Sequence, residues 1–150
     1  MKKHRTHLFL SYCHDDKAEV ARLHRALTDA GETVWWDQDI DVGLDWKMAI
    51  RKAMKDSYAI VVCLSQNTEA RTELGIYPEL MDAIEAYREY APGSIFLIPV
   101  RLSECEIPLI EIDGTRTLDR LQHLDLFPDS EWDSGVDRLV RALRKAPYHP

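Results

Sequence analysis

Several side chains in this 150-residue sequence have types and spacings that could do chemistry. Pro78-Glu79 opens a helical pattern. Proline suits the first helical position, and the positive end of the helix dipole there favours an ionised carboxylate at Glu79. Acids are also common in first turns for stability alone, and Glu73, Asp82, Glu85 and Glu89 make the whole region acidic. His14 beside Asp15 and Asp16 has metal-binding atoms, but adjacent residues rarely converge on one ion. An N-cap at Asp15 or Asp16 is the simpler reading. Asp37-x-Asp39-x-Asp41 begins like an EF-hand calcium loop. That loop needs Gly at its sixth position and a bidentate Glu at its twelfth, where this chain has Val42 and Met48, so the segment reads as a solvated acidic loop. Ser65 has no G-x-S-x-G around it and reads as a strand-end serine beginning a turn. Cys13 reads as a small packed thiol rather than a nucleophile. No G-x-G-x-x-G follows the first apolar run and no P-loop is present, so two common phosphate cradles are excluded. No metal site is expected.

The elements that must position these groups follow from periodicity. His7 to Ser11 predicts a strand. Val20, Leu23, Leu27 and Ala30 recur at helical spacing, and Gly31 suits the stop. Thr33 to Trp36 predicts a second strand, followed by a polar loop from Asp37 to Asp45. Met48 to Met54 predicts a helix. Tyr58 to Leu64 predicts a buried central strand. Pro78 to Tyr90 predicts a helix with Leu80, Ala83, Ile84 and Tyr87 on one face, ended by Pro92-Gly93. Ser94 to Val100 predicts another buried strand, and His123 to Leu126 a short one. Val136, Leu139, Val140 and Leu143 form the stripe of a last helix, with Arg138, Arg141, Arg144 and Lys145 on its solvated face. Alternating strands and helices imply an α/β fold: a flavodoxin-like, doubly wound parallel sheet of about five strands with helices on both faces. Residues 1–146 are expected to form one domain, with 147–150 starting a linker or tail. A phospho-receiver domain shares this topology, but the third strand here ends at Leu64-Ser65 rather than at an Asp, and the acidic pair Asp15-Asp16 comes late.

Composition narrows the function classes. Hydrophobic residues make up 45% and charged residues 30%, an ordinary globular mixture. Asp and Glu number 26 against 19 Lys and Arg, giving a net charge of -7. That balance disfavours direct nucleic-acid binding and anionic membranes, which need clustered positive charge. Apolar runs such as Ala59 to Leu64 are far shorter than the roughly 20 residues of a membrane span. Three scattered cysteines without a C-x-x-C suit reduced thiols, hence a cytoplasmic location.

Blocks along the chain resemble one family. Leu8-Phe9-Leu10-Ser11-Tyr12 resembles the first box of the TIR (Toll/interleukin-1 receptor) domain. Val34-Trp35-Trp36-Asp37 followed by Gly43-Leu44-Asp45-Trp46 resembles its second strand and BB loop. Asp56-Ser57-Tyr58-Ala59-Ile60-Val61-Val62-Cys63-Leu64-Ser65 resembles its third strand. Gly75-Ile76-Tyr77-Pro78-Glu79 and Phe96-Leu97-Ile98-Pro99-Val100 are similar to later blocks of bacterial members, and Leu124 to Trp132 with the last helix fit the family's ending. The match covers nearly the whole chain, five blocks in order.

The resemblance implies a choice between two activities. Many bacterial TIR domains are similar to NAD+ glycohydrolases of anti-phage immunity, and the family's hydrolytic glutamate falls on Glu79. Others are non-catalytic scaffolds acting through homotypic contacts. The first implies NAD+ as substrate with no resident cofactor, other TIR domains as partners through homo-oligomerisation, and a sensor domain in the full-length protein. Its product is nicotinamide with ADP-ribose or cyclic ADP-ribose. The family places substrate contacts at Ser11, Tyr12, Cys13 and His14, while Asp41 is a candidate for a ribose hydroxyl and Trp46 and Tyr77 for bordering the substrate. Exposed Ile40, Val42 and Leu44 around Gly43 mark an assembly loop, and Gly43 permits a backbone angle that other residues resist. Two departures stand out. Gly75 occupies a position where catalytic members often carry an aromatic residue, and Cys13 lies near where many carry arginine.

Overall fold

The computed structural model describes residues 5–73, 81, 84–85, 87–88, 96–114 and 116–150. The elements are β1 (His7–Ser11), α1 (Lys17–Asp29), β2 (Val34–Trp35), α2 (Trp46–Lys55), β3 (Ser57–Leu64), α3 (Gln66–Glu73), β4 (Phe96–Arg101), β5 (Glu111–Asp113), β6 (Arg116–Thr117), β7 (Leu124–Asp125) and α4 (Trp132–Arg144). Met81, Ile84, Glu85, Tyr87 and Arg88 are also helical. The main sheet runs β2-β1-β3-β4-β7 with every pairing parallel. The carboxyl ends of its strands therefore lie along one edge, and this is the doubly wound architecture the alternation predicts.

Two-sided burial explains why β3 is central. All eight of its residues are buried, as a parallel sheet covered on both faces requires. Its alternate side chains enter opposite layers. Ala59, Val61 and Cys63 join Leu8 and Leu10 of β1 beneath α1 and α4. Ile60, Val62 and Leu64 join Phe9, Met54 of α2, and helical Ile84 and Tyr87 on the other side. β2 is shorter than the predicted strand. Its Trp35 stacks on Phe9 at 5.1 Å, while Trp36 lies 5.9 Å from the Tyr12 ring on the opposite layer. β7 pairs with β4 only at Val100 and Arg101, past Pro99, which has no N–H to offer a neighbour.

Two elements escape the periodicity. α3 reads Gln-Asn-Thr-Glu-Ala-Arg-Thr-Glu, polar on every face, so no apolar stripe announces it. The antiparallel β5–β6 hairpin is too short for a pattern, although Asp113-Gly114 is a hairpin signal in the sequence. The expected tail also folds back. Tyr148 packs under the Arg5 guanidinium, 4.7 Å from ring centroid to Cζ. His149 Nε2 lies 3.0 Å from both oxygens of buried Glu32, which also accepts the Tyr58 hydroxyl at 2.8 Å.

The sheet edge is pinned by a bidentate pair. Arg101 Nε and Nη2 donate to Asp125 Oδ1 and Oδ2 at 2.7 and 2.8 Å. These bonds hold the Asp125 carboxyl below its ordinary value of 3.8. A carboxylate depressed in the folded state contributes stability above its unfolded value and loses it as pH falls through the folded one. Asp125→Asn is therefore expected to destabilise the domain at neutral pH, and the gap from wild type should close in acid. Urea denaturation at about pH 7 and about pH 3 tests this. A gap of constant size would show that the pair contributes through packing alone.

Candidate functional site

A cavity of about 370 Å³ opens at the carboxyl end of β1, bounded by the β1–α1 turn, the segment after β2 and the start of α2. Its floor is apolar, formed by Phe9, Leu10, Ile50 and Met54, and its polar rim comprises Ser11, Tyr12, His14 and Asp37. Ile40 and Trp46 complete the wall. This is where ligands bind in open parallel sheets, beyond the carboxyl ends of the strands.

The polar groups of the rim are coupled. The Tyr12 hydroxyl donates to Asp37 Oδ1, and Gln38 Nε2 donates to the Tyr12 oxygen at 3.4 Å and to Asp37 Oδ1 at 3.3 Å. Burial, then the Asp37 carboxylate, push the Tyr12 hydroxyl well above the ordinary tyrosine range. Tyr12 is thus a donor held in one orientation by Asp37. His14 Nε2 stands 3.8 Å from Asp37 Oδ2 and is largely exposed. Trp46 opens α2, whose first turn is fixed by Asp45: its Oδ1 accepts from the backbone N–H of Lys47 at 3.0 Å and of Met48 at 3.2 Å. The indole is 54% exposed, leaving its apolar surface open beside the cavity.

Ser11, Tyr12, His14 and Trp46 therefore converge on one cavity. Cys13 and Asp41 do not border it. Cys13 is fully buried in the core cluster that also holds Phe9 and Met54 of the cavity floor, its Sγ 3.5 Å from Asp15 Oδ2, and burial raises its thiol above the ordinary range. It follows Tyr12 and turns to the other face of the sheet, where it packs inside the core and does not line the cavity. Asp41 is exposed in the loop; the acid that reaches the rim is Asp37. Its sequence signal is position: it is the first residue past the Trp35-Trp36 pair at the carboxyl edge. Glu79 and Tyr77 lie outside the described residues.

A buried polar cluster stitches the ends of β1 and β3 beside the cavity. Asp16 precedes α1, yet its carboxylate makes no cap bond to that helix. It accepts the Ser65 hydroxyl at 2.6 Å and Asn67 Nδ2 at 2.8 Å instead. Two side-chain donors supplied across the sheet satisfy both oxygens of an acid only 6% exposed, which overrides the expected capping role. Ser65 in turn caps α3, its Oγ accepting from the N–H of Asn67 at 3.1 Å and of Thr68 at 3.3 Å. That cap stabilises a helix with no apolar face of its own.

The family profile described as TIR domain matches residues 8–140, nearly the whole chain. The chain belongs to the TIR domain family. Solved structures carry the same fold at low identity. The TIR domain of the Toll-related receptor TRR-2 from Hydra magnipapillata is 18% identical, with a TM-score of 0.64 over 92% of this chain and 98% of that one. A prokaryotic SEFIR domain is 19% identical, with a TM-score of 0.63 over 95% of this chain and 94% of that one. A metazoan TIR-STING receptor from C. gigas, solved with 2',3'-cGAMP, is 18% identical, with a TM-score of 0.62. There the match covers 91% of this chain but 40% of the receptor. No curated protein matches the sequence closely enough to count as a relative.

The BB loop of this TIR domain is open to solvent at its tip, with Val42 and Leu44 exposed. Gly43 between them has φ +91°, and a Cβ placed there would meet nothing within 4 Å. Gly43→Val therefore incurs backbone strain without a clash. We expect the loop to resettle at a stability cost of about 1 kcal/mol. Urea denaturation of wild type and variant checks this.

Proposed function

We propose that this TIR domain is a cytoplasmic NAD+ glycohydrolase activated by self-assembly, an effector of bacterial anti-phage immunity coupled to a sensor domain in the full-length protein. The observation that carries the reading is the cavity at the end of β1. Its volume of about 370 Å³ falls in the range of small-molecule sites. It joins an apolar floor and an open indole, suited to a flat heterocycle, to a Tyr12–Asp37 rim suited to sugar hydroxyls.

The reaction breaks the bond between ribose C1′ and the nicotinamide nitrogen. The bonding electron pair leaves with nicotinamide, which departs neutral from its pyridinium and needs no general acid. Positive charge moves onto the ribosyl oxocarbenium, which one ionised carboxylate can stabilise where ordinary glycosidases use two. Glu79 is that carboxylate in this reading, on the strength of its place in the family motif. Water then adds to C1′ and releases its proton, or an adenine nitrogen adds to give the cyclic product.

A scaffold working through homotypic contacts alone is the second reading, favoured by the exposed Val42 and Leu44 and by Gly75. Activity against concentration separates them. The first reading expects dilute protein to be nearly inactive and the rate to rise faster than linearly over about a thousandfold in concentration. A constant specific rate would overturn assembly dependence, and no cleavage at any concentration or under forced clustering would leave the scaffold.

A further inference from the structure

We propose that Asp37 decides which dinucleotides the cavity accepts: its carboxylate takes the 2′-hydroxyl of the adenosine ribose and turns away substrates that carry a phosphate on that oxygen. The proposal rests on the NAD+-cleaving reading and adds to it a choice of NAD+ over NADP+.

Position is the first observation. β2 ends at Trp35, so Asp37 stands two residues past the carboxyl end of the strand that flanks β1. In dinucleotide-binding parallel sheets, an acid about 20 residues past the first strand's turn accepts a ribose 2′-hydroxyl, and a nearby arginine accommodates a 2′-phosphate where the substrate has one. This chain lacks the glycine-rich cradle of those folds but has the acid, and the surroundings of that acid define what it can bind.

Charge is the second observation. Asp37 Oδ1 accepts from the Tyr12 hydroxyl and from Gln38 Nε2. These bonds fix the carboxylate and leave Oδ2 to a ligand's hydroxyl. Among the described residues, neither lysine nor arginine lines the cavity. The one ion-pair partner of Asp37 among them is the exposed His14, Nε2 3.8 Å from Oδ2. A 2′-phosphate would bring up to two negative charges against the carboxylate, and would remove the hydrogen that Oδ2 accepts. Repulsion and a lost hydrogen bond then act together.

Orientation is the third observation. Phe9 and Met54 of the cavity floor share a side-chain layer with Ile84 and Tyr87, which pack there among Ile60, Val62 and Leu64 of β3 and Leu97 of β4. In sequence, Glu79 opens the helical pattern to which Ile84 and Tyr87 belong. A substrate whose reacting ribose meets that segment near β3 and β4 crosses β1 and reaches β2 with its other, adenosine end. The indole fits the same orientation. Lys47 Nζ stands 5.7 Å from the Trp46 ring centroid, a cation that repels a pyridinium and leaves uncharged adenine unaffected. Adenine beside Trp46 sets its ribose at the Asp37 rim.

The test compares NAD+ with NADP+ on the clustered domain, by kcat/KM for cleavage and by calorimetric titration for binding. Wild type should prefer NAD+ about a hundredfold in kcat/KM. Asp37→Asn keeps an oxygen for the Tyr12 hydroxyl and removes the charge, so the preference should fall about tenfold or more. Tyr12→Phe keeps the charge and should keep the preference, whatever its rate. Circular dichroism checks that both variants fold. Equal kcat/KM for the two dinucleotides in wild type, an Asp37→Asn domain with the wild-type preference, or a Tyr12→Phe domain that loses it as fully would overturn the proposal while leaving NAD+ cleavage in place. A domain that cleaves neither but binds NAD+ over NADP+, with the difference lost in Asp37→Asn, would overturn the catalytic reading and support the role of Asp37. Binding of neither dinucleotide would overturn both.

Discussion

Glu79→Gln is expected to reduce NAD+ cleavage by the clustered domain on the order of 10² or more. Gln keeps the size and nearly the helix propensity of Glu and removes only the charge. In the ground state the positive charge sits on the pyridinium; in the transition state it has moved to the ribosyl oxocarbenium. A carboxylate beside the ribose is therefore felt more strongly in the transition state, so the loss should fall on kcat more than on KM. Glu85→Gln is the control. Glu85 is an exposed helical acid in the same acidic stretch, and its loss should leave the rate within a few-fold. Product chromatography on matched samples reads both. Comparable turnover by Glu79→Gln and wild type would move the catalytic role off this residue.

Gly135→Ala should destabilise the domain, and Gly135→Val should do so more strongly. In an isolated helix Gly→Ala gains about 1 kcal/mol. Here the sign reverses, because α4 lies close against β7. A Cβ on Gly135 would stand 2.7 Å from Leu126 Cδ2 and 2.8 Å from the Asp125 carbonyl oxygen. Leu126 can rotate away, but the Asp125 oxygen is backbone. Its strand is held by Arg101 and by the Leu126 N–H donating to Arg101 O at 2.9 Å. Overpacking of this kind costs about 1–3 kcal/mol. The Ala variant is expected to lose about 1–2 kcal/mol net and the Val variant about 3 kcal/mol. Ser134→Ala, one exposed position earlier, should be neutral or mildly stabilising. Urea denaturation of the three variants decides. A Gly135→Ala domain as stable as wild type would show that α4 can back away from the sheet edge.

Burial on both faces is written directly into a sequence. The unbroken apolar run of β3 and the i, i+3, i+4, i+7 stripe of α4 could form nothing else of the right length, and their order dictated a parallel doubly wound sheet. The blocks around Ser11, Trp36 and Ser65 carried the TIR resemblance, because the carboxyl edge of such a sheet is where a chain must change direction and meet a ligand. Gly43 was legible for a similar reason, as a positive φ selects glycine. What the sequence could not decide were contacts between segments distant along the chain. Asp16 looked like a local cap, but Ser65 and Asn67 reach it from 49 and 51 residues away and take both its oxygens. Polar α3 had no stripe to announce it, since its stability comes from the Ser65 cap. Cys13 was grouped with its neighbours as a substrate contact, whereas packing buries it completely in the core cluster of Phe9 and Met54 and leaves Tyr12 on the cavity. Asp37 rather than Asp41 lines the cavity, where it accepts the Tyr12 hydroxyl. Pairing across the sheet is a property of the fold, set by which strand lies beside which, and one-dimensional spacing does not encode it.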